Sequence, residues 1–255
     1  MNPGQGVDIP RNSFFAPLAI MKNNGVPINS IIDIGCADGS FALQCLAIFG
    51  RSMTIFNIDA QHAYEPSLLK IQQKVGGYYK ITAVSSLNGQ IRFSISDKSP
   101  YWGGPSEQGD YIECRTLDSL LLEFKIPEPY FIKMDIEGTE FSVLQGAVNI
   151  LDKAAGMMLE TDLYYGATSR GNFLDIYTFL AARNFSLFDL TNFGYRPSDH
   201  ALYQVYTTFL NKKYEFRDKQ SLTGNQAQET DLTAAMTRRR LELIAKNEEI
   251  LSRWK

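Results

Sequence analysis

The sequence predicts an α/β protein: an open, mostly parallel sheet with helices on both faces and an antiparallel edge, followed by a separate C-terminal helix. Three observations carry this. Apolar runs of strand length are each followed by a turn and a helical pattern at two places, Asn29–Ile34 leading into Phe41–Phe49 and Tyr130–Met134 leading into Phe141–Leu151. Two late runs, Ser186–Leu190 and Ala201–Leu210, follow one another with only an irregular loop between them, which suits an antiparallel edge. Residues 230–255 contain neither Gly nor Pro and place Met236, Leu243 and Ile250 seven apart.

In chain order, residues 1–12 are polar with Gly and Pro. Phe14–Lys22 reads as a lead-in helix starting near Ser13, with Pro17 in its first turn. The first strand is Asn29–Ile34 and the second Ser52–Ile58. A third runs from Tyr79 to Val84, with a short one at Ile91–Ile95. Tyr130–Met134 comes next, then Gly156–Thr161, which the usual order places beside it. Phe173–Ala182 is a helix ahead of the two late strands. The organisation expected is an N-terminal segment and helix (1–29), a main domain (30–210), a polar linker (211–229) and an amphipathic helix (230–255).

The most informative segment is Asp135-Ile136-Glu137-Gly138-Thr139-Glu140, where a strand turns into a helix. In an open α/β sheet that junction lies where ligands bind. Asp135 and Glu137 are two apart in extended backbone and point to one side, and Gly138 suits the bend that follows. Glu140 is accounted for as an acid in the first helical turn. Upstream, Ile31-Ile32-Asp33-Ile34-Gly35-Cys36-Ala37-Asp38-Gly39-Ser40 forms a second such junction. A dinucleotide fingerprint would need glycine where Ala37 stands, and Asp38 would repel a phosphate. The loop suits a ligand with an adenosine and a positive charge but no phosphate, which describes S-adenosylmethionine. Asp59, at the end of the second strand, is placed to accept hydrogen bonds from ribose hydroxyls.

Three blocks resemble the FkbM-type S-adenosylmethionine-dependent methyltransferases. They are Ile31–Gly39; Ala83-Val84-Ser85 leading to Gly89–Phe93; and Thr116–Leu120 running into Ile132–Glu140 with Val143–Ala147. The resemblance covers roughly Ser30–Leu210 and implies a Rossmann-like class I methyltransferase sheet and transfer of a methyl group to an acceptor, usually a hydroxyl oxygen. In one respect the chain departs from the family: Glu-Pro commonly follows the second strand directly, whereas here Asp59 stands there and Glu65-Pro66 comes six residues later. Asp59, at the strand end, is the residue expected to meet the ribose. The cofactor-binding residues expected are Asp33, Gly35, Asp38, Ser40, Asp59, Val84, Ser85 and Asp135, with Val84-Ser85 near the adenine.

For catalysis, methyl transfer is an in-line displacement in which positioning supplies much of the acceleration, and a hydroxyl acceptor gains from a base or a metal. Asp135, Glu137, His62 and His200 are the candidates for the base, with Asp135, Glu137 and His200 taken as catalytic. Asp135 and Glu137 are expected above all to orient the acceptor and the cationic end of the cofactor; as an alternative, Asp135 with Glu160 or Asp162 offers hard oxygen ligands to Mg²⁺. Acceptor recognition is expected in three irregular segments carrying aromatic residues: Ser96–Tyr111, with Tyr101-Trp102; Leu163–Asn172, with Tyr164, Tyr165 and Arg170; and Asn192–His200, with Phe193, Tyr195 and Arg196. The acceptor expected is a sugar hydroxyl of a glycan, glycolipid or glycosylated natural product. The alternatives are a polyketide hydroxyl, a protein amide, or a non-catalytic scaffold on the same fold.

A net charge of −3 offers no general attraction to nucleic acid, and the Arg238-Arg239-Arg240 triplet is local to one helix. Apolar residues make up 44 %, enough for a large core. Cys36, Cys45 and Cys114 show no metal-type spacing and suit a reducing compartment. With neither a basic apolar leader nor a membrane-length apolar run, a cytoplasmic location without a membrane span is expected. The stripe of Met236, Leu243 and Ile250, widened by Ile244, Leu251 and Trp254, is expected to bury itself, with a homo-oligomer through this helix favoured over packing in cis.

Overall fold

The structure, a computed structural model, describes residues 10–96, 103–163, 171–217 and 226–252. The chain divides into two units, Met1–Glu215 and Phe216–Lys255. In the first unit the helices are α1 (Phe15–Asn23), α2 (Ser40–Phe49), α3 (Glu65–Val75), α4 (Leu117–Phe124), α5 (Glu140–Gln145) and α6 (Phe173–Ala181). Its strands are β1 (Ser30–Ile34), β2 (Thr54–Asp59), β3 (Tyr78–Ile81), β4 (Ala83–Val84), β5 (Gly89–Ile95), β6 (Gly103–Pro105), β7 (Asp110–Arg115), β8 (Tyr130–Met134), β9 (Ala154–Asp162), β10 (Phe185–Tyr195) and β11 (Leu202–Asn211). The second unit holds α7 (Gln226–Ser252).

Seven strands form the main sheet in the order β10-β11-β9-β8-β1-β2-β3. Pairing is parallel from β9 through β8, β1 and β2 to β3, while β11 runs antiparallel to both β9 and β10. Strands β1, β2 and β8 are buried almost throughout, so they read as continuous apolar runs rather than as alternating ones. Phe56, Phe131, Phe185 and Phe209 are among the largest fully buried side chains. Because β1 has β2 on one side and β8 on the other, the strand order reverses between β1 and β8. The crevice at their carboxyl ends is where an open α/β sheet binds ligands.

The run read as one strand from Tyr79 to Val84 is two strands in different sheets. At Thr82 the chain leaves the main sheet: its N–H donates to Asp59 O (2.8 Å) and its hydroxyl to Glu113 O (3.1 Å). The last two residues, Ala83-Val84, then pair with β7 in a four-stranded sheet of order β4-β7-β5-β6. Strand periodicity could not show this, because the change of partner happens without a glycine or a proline. Elements α3, α4, β6 and β7 are additions to the sequence reading. The start of α4 is marked by Thr116, whose hydroxyl accepts from Ser119 N (3.2 Å). Helix α5 stops at Gln145, short of Leu151, with Gly146 at its C-cap; Gly146 packs on the backbone of Ser85, where a Cβ would lie 2.3 Å from Ser85 O. Helix α7 begins at Gln226, four residues ahead of Thr230, since Gln226–Glu229 contain no helix breaker. No helix among the described residues is long and apolar enough to cross a membrane.

Candidate cofactor and active site

Parallel register sets the site. Asp33 of β1 lies opposite Lys133 of β8, so the loops that leave the two strands start side by side. Asp135 N donates to Ile34 O (3.1 Å), and Gly35 N to Ile58 O (2.9 Å). The contact between the loops is close enough to dictate glycine. A Cβ on Gly35, whose φ is +70°, would sit 1.9 Å from Asp135 O. Gly39 (φ +81°) is needed for a different packing reason, since a Cβ there would meet Ile71 Cδ1 at 2.6 Å.

Between these loops and the four-stranded sheet lies a cavity of 330 Å³, within the ordinary range of about 300–1,000 Å³ for cofactor sites. At one end it is bounded by Asp59, Ala60, Gln61, Tyr64 and Thr82–Ser85, and at the other by Asp135, Ile136, Glu137, Thr139 and Ser142. Ile34, Ile58, Ile91 and Phe93 supply apolar walls. Of the residues expected to hold the cofactor, Gly35, Asp59, Val84, Ser85 and Asp135 line this cavity, whereas Asp33, Asp38 and Ser40 do not. Asp33 is fully buried beneath it. Asp38 and Ser40 are exposed at the start of α2, where Asp38 Oδ1 accepts from Ser40 N (3.1 Å).

Asp59 holds the cavity's shape with both carboxylate oxygens. Oδ2 accepts from Ala37 N (2.8 Å) and Oδ1 from Gln61 N (2.9 Å). The first of these bonds helps hold Ala37 in its left-handed conformation (φ +46°). Burial pushes the Asp59 carboxyl above its ordinary range, while the backbone N–H donors pull it back. Glu65 starts α3 instead, within 3.2 Å of His62 Nδ1 and accepting from Tyr79 OH (3.4 Å), and does not line the cavity.

The other end of the cavity is a carboxylate cluster with one buried cation. Lys133 Nζ donates to Gly35 O (2.9 Å) and stands 3.2 Å from Asp33 Oδ1 and 3.3 Å from Asp135 Oδ2. Burial disfavours its charged form, but Asp33 and Asp135 outweigh burial and hold its pKa well above the usual lysine value. Asp135 Oδ2 also accepts from the hydroxyl of Tyr206 (2.8 Å), which opposes Glu160 across β9 and β11. Carboxylate oxygens of Asp135, Glu137 and Glu160 lie within 4.8 Å of one another. Glu160 is pushed up to about 9, first by burial and then by the charges of Asp135, Glu137 and Glu140. Glu140 is buried rather than merely a helix-start acid: its Oε1 accepts from Ile136 N (3.0 Å) and Gly138 N (3.4 Å), and burial raises it to about 7. The turn wraps around that carboxyl, with Glu137 at φ +58° and Gly138 at φ +92°. A left-handed non-glycine residue costs about 1–2 kcal/mol, and such strain clusters at functional sites.

Glu137 is the most exposed acid of the cluster and is also raised, by burial on its cavity side and by Asp135 and Asp162. It borders both the first cavity and a second of 280 Å³ lined by Ser94, Ser96 and Gly103–Pro105. The histidines stand apart. His62 is exposed beside Glu65, and His200 is exposed in the β10–β11 turn, its N–H donating to Arg196 O (2.9 Å). Neither lines a described cavity. Tyr101, Trp102, Tyr164, Tyr165 and Arg170 lie outside the described residues. Phe193 and Tyr195 are exposed on β10, and Arg196 pairs with Asp199 (3.2 Å).

Lys133, Glu140 and Tyr206 received no site role from the sequence. A signal for the first existed: Asp33 and Lys133 are the single charges within two otherwise apolar strands, and opposite charges in adjacent buried strands must pair.

The cavity fits S-adenosylmethionine. Among the described residues its lining combines apolar walls (Ile34, Ile58, Ile91 and Phe93) with the carboxylates Asp59, Asp135 and Glu137, a mixture that suits a purine nucleoside carrying positive charge. No Lys, Arg or His is among the described lining residues. When bound, that cofactor supplies an electrophilic methyl group on a positively charged sulfur.

A family profile agrees with this reading. The profile of the Methyltransferase FkbM domain matches residues 33–196. Solved structures with a similar fold include a precorrin-6y C5,15-methyltransferase from Geobacter metallireducens (11 % identity, TM-score 0.40, covering 76 % of this chain and 87 % of that one). Magnesium protoporphyrin IX methyltransferase from Synechocystis, with bound S-adenosylmethionine, is another (11 %, TM-score 0.39, 76 % of each chain). A third is fibrillarin from Aeropyrum pernix, with natively bound S-adenosylmethionine (11 %, TM-score 0.43, 71 % and 67 %). No curated protein matches the chain by sequence. With the family profile spanning most of a Rossmann-like sheet whose cavity fits the cofactor, the chain belongs to the FkbM family of S-adenosylmethionine-dependent methyltransferases.

Proposed function

We infer that the chain methylates a hydroxyl oxygen, that of a sugar in a glycan, glycolipid or glycosylated natural product. The observation that supports this reading is the position of Glu137 on the shared wall of the two cavities. An acceptor in the second cavity would meet a carboxylate just where it approaches the cofactor. That cavity is lined by Ser94, Ser96, Gly103, Gly104, Pro105 and Glu137, whose serine, carboxylate and backbone groups can hydrogen-bond a polyol. Glu137 would accept the hydroxyl proton at a carboxylate oxygen, and its raised pKa makes it a better base than an ordinary glutamate.

A panel of nucleotide-sugars and glycans, assayed for methyl transfer from labelled cofactor, tests the acceptor. Methylation of a polyketide hydroxyl or a protein amide, with no sugar accepted, would replace this reading. Glu137→Gln keeps the shape and removes the base. It should lower kcat by about 10²–10⁴-fold while leaving cofactor affinity near the wild type. Activity lost to a chelator and restored by Mg²⁺ would instead assign the carboxylates to a metal.

A further inference from the structure

We propose that Asp135 reads the positive charge of the cofactor and so favours the methyl-bearing form over the spent form, and that Lys133 and Tyr206 are positioning residues that hold its carboxylate for this purpose. The proposal rests on the cofactor and not on the nature of the acceptor. S-adenosylmethionine and its product S-adenosylhomocysteine differ by one methyl group and by the charge on sulfur. An enzyme that must release the product gains from a residue that attracts only the charged form.

Among the described residues, three carboxylates line the cofactor cavity: Asp59, Asp135 and Glu137. Asp59 is engaged through both oxygens with loop N–H groups at one end, and Glu137 also borders the second cavity. Asp135, the third, is anchored by its neighbours. Its backbone carbonyl abuts Gly35. Its Oδ2 takes the Tyr206 hydroxyl at 2.8 Å and the Lys133 ammonium at 3.3 Å. Both donors are themselves fixed, Tyr206 at 8 % and Lys133 at 7 % exposure, the latter tied to Asp33 and Gly35 O. An anchored carboxylate spends no ordering entropy on meeting a cation, and a partly dry setting strengthens the attraction. The neighbouring Glu160 does not line the cavity, so it does not face the sulfonium.

The test is calorimetric titration of the full chain with S-adenosylmethionine and with S-adenosylhomocysteine. Asp135→Asn keeps the shape and an acceptor for Tyr206 and Lys133. It should weaken the methyl-bearing cofactor about tenfold more than the product, the effect of about 1.4 kcal/mol of lost charge interaction. Glu160→Gln alters a side chain that does not line the cavity and should leave the ratio of the two affinities where it was. Equal weakening of both ligands by Asp135→Asn, or an equal shift of the ratio by Glu160→Gln, would overturn the proposal. Should Asp135→Asn fail to fold, Tyr206→Phe decides. It alters no charge and frees the carboxylate to turn, so the ratio should fall, and an unchanged ratio would overturn the assignment.

Discussion

Replacing Gly35 by alanine tests whether the two strand-end loops form one unit. The added Cβ would lie 1.9 Å from Asp135 O, 2.9 Å from Asp135 C and 2.9 Å from Ile136 Cγ2. Real Cβ atoms do not approach backbone oxygen below 3.0 Å, so one loop must retreat by roughly 1 Å, an overpacking that costs about 1–3 kcal/mol. The left-handed φ of +70° adds about 1–2 kcal/mol for any residue with a side chain. Together these predict a loss of about 2–5 kcal/mol in urea or thermal unfolding. The retreat falls on Asp135, which Tyr206 and Lys133 hold from the other side, so cofactor affinity should fall as well. Calorimetry on the folded fraction measures this. A Gly35→Ala protein with stability within about 0.5 kcal/mol of the parent and unchanged cofactor affinity would show that the loops are not coupled in this way.

Asp59→Ala should cost about 1.5–3 kcal/mol in cofactor affinity, the range for a lost hydrogen bond to a charged group, and unchanged affinity in a titration would remove Asp59 from the ribose. Glu160 at about 9 and Glu140 at about 7 lie above the ordinary value in an unfolded chain, so the folded state binds protons that the unfolded state releases. Their contribution is fully present below about pH 4.3 and is lost as pH rises through the folded pKa values, at up to about 1.4 kcal/mol per pH unit per group. The melting temperature should therefore fall from pH 5 to 9, and Glu160→Gln should flatten the part above pH 7. A wild-type Tm that is flat over that range would contradict these shifts. For α7, where Met236, Leu243 and Ile244 are exposed, light scattering should find a dimer that dissociates when the chain ends near Glu229, because a lone helix with an apolar stripe gains from a partner. Two monomers would dismiss this.

The sequence by itself determined the strand–turn–helix units, since buried parallel strands are continuous apolar runs and need no partner to be recognised. It also located both strand-end loops and Asp59, because ligand contacts in such a sheet gather at strand carboxyl ends. Tertiary structure decided what each residue there does. Gly35 is glycine because the Asp135 carbonyl lies against it, a contact across a hundred residues that no local pattern records. Thr82 sends one apolar run into two sheets, since an apolar strand pairs equally well with either neighbour. Tyr206 reaches Asp135 only because β11 turns back beside β9. The raised carboxyls of Glu140 and Glu160 likewise arise from burial and from one another's charge, both of which exist only once the chain has folded.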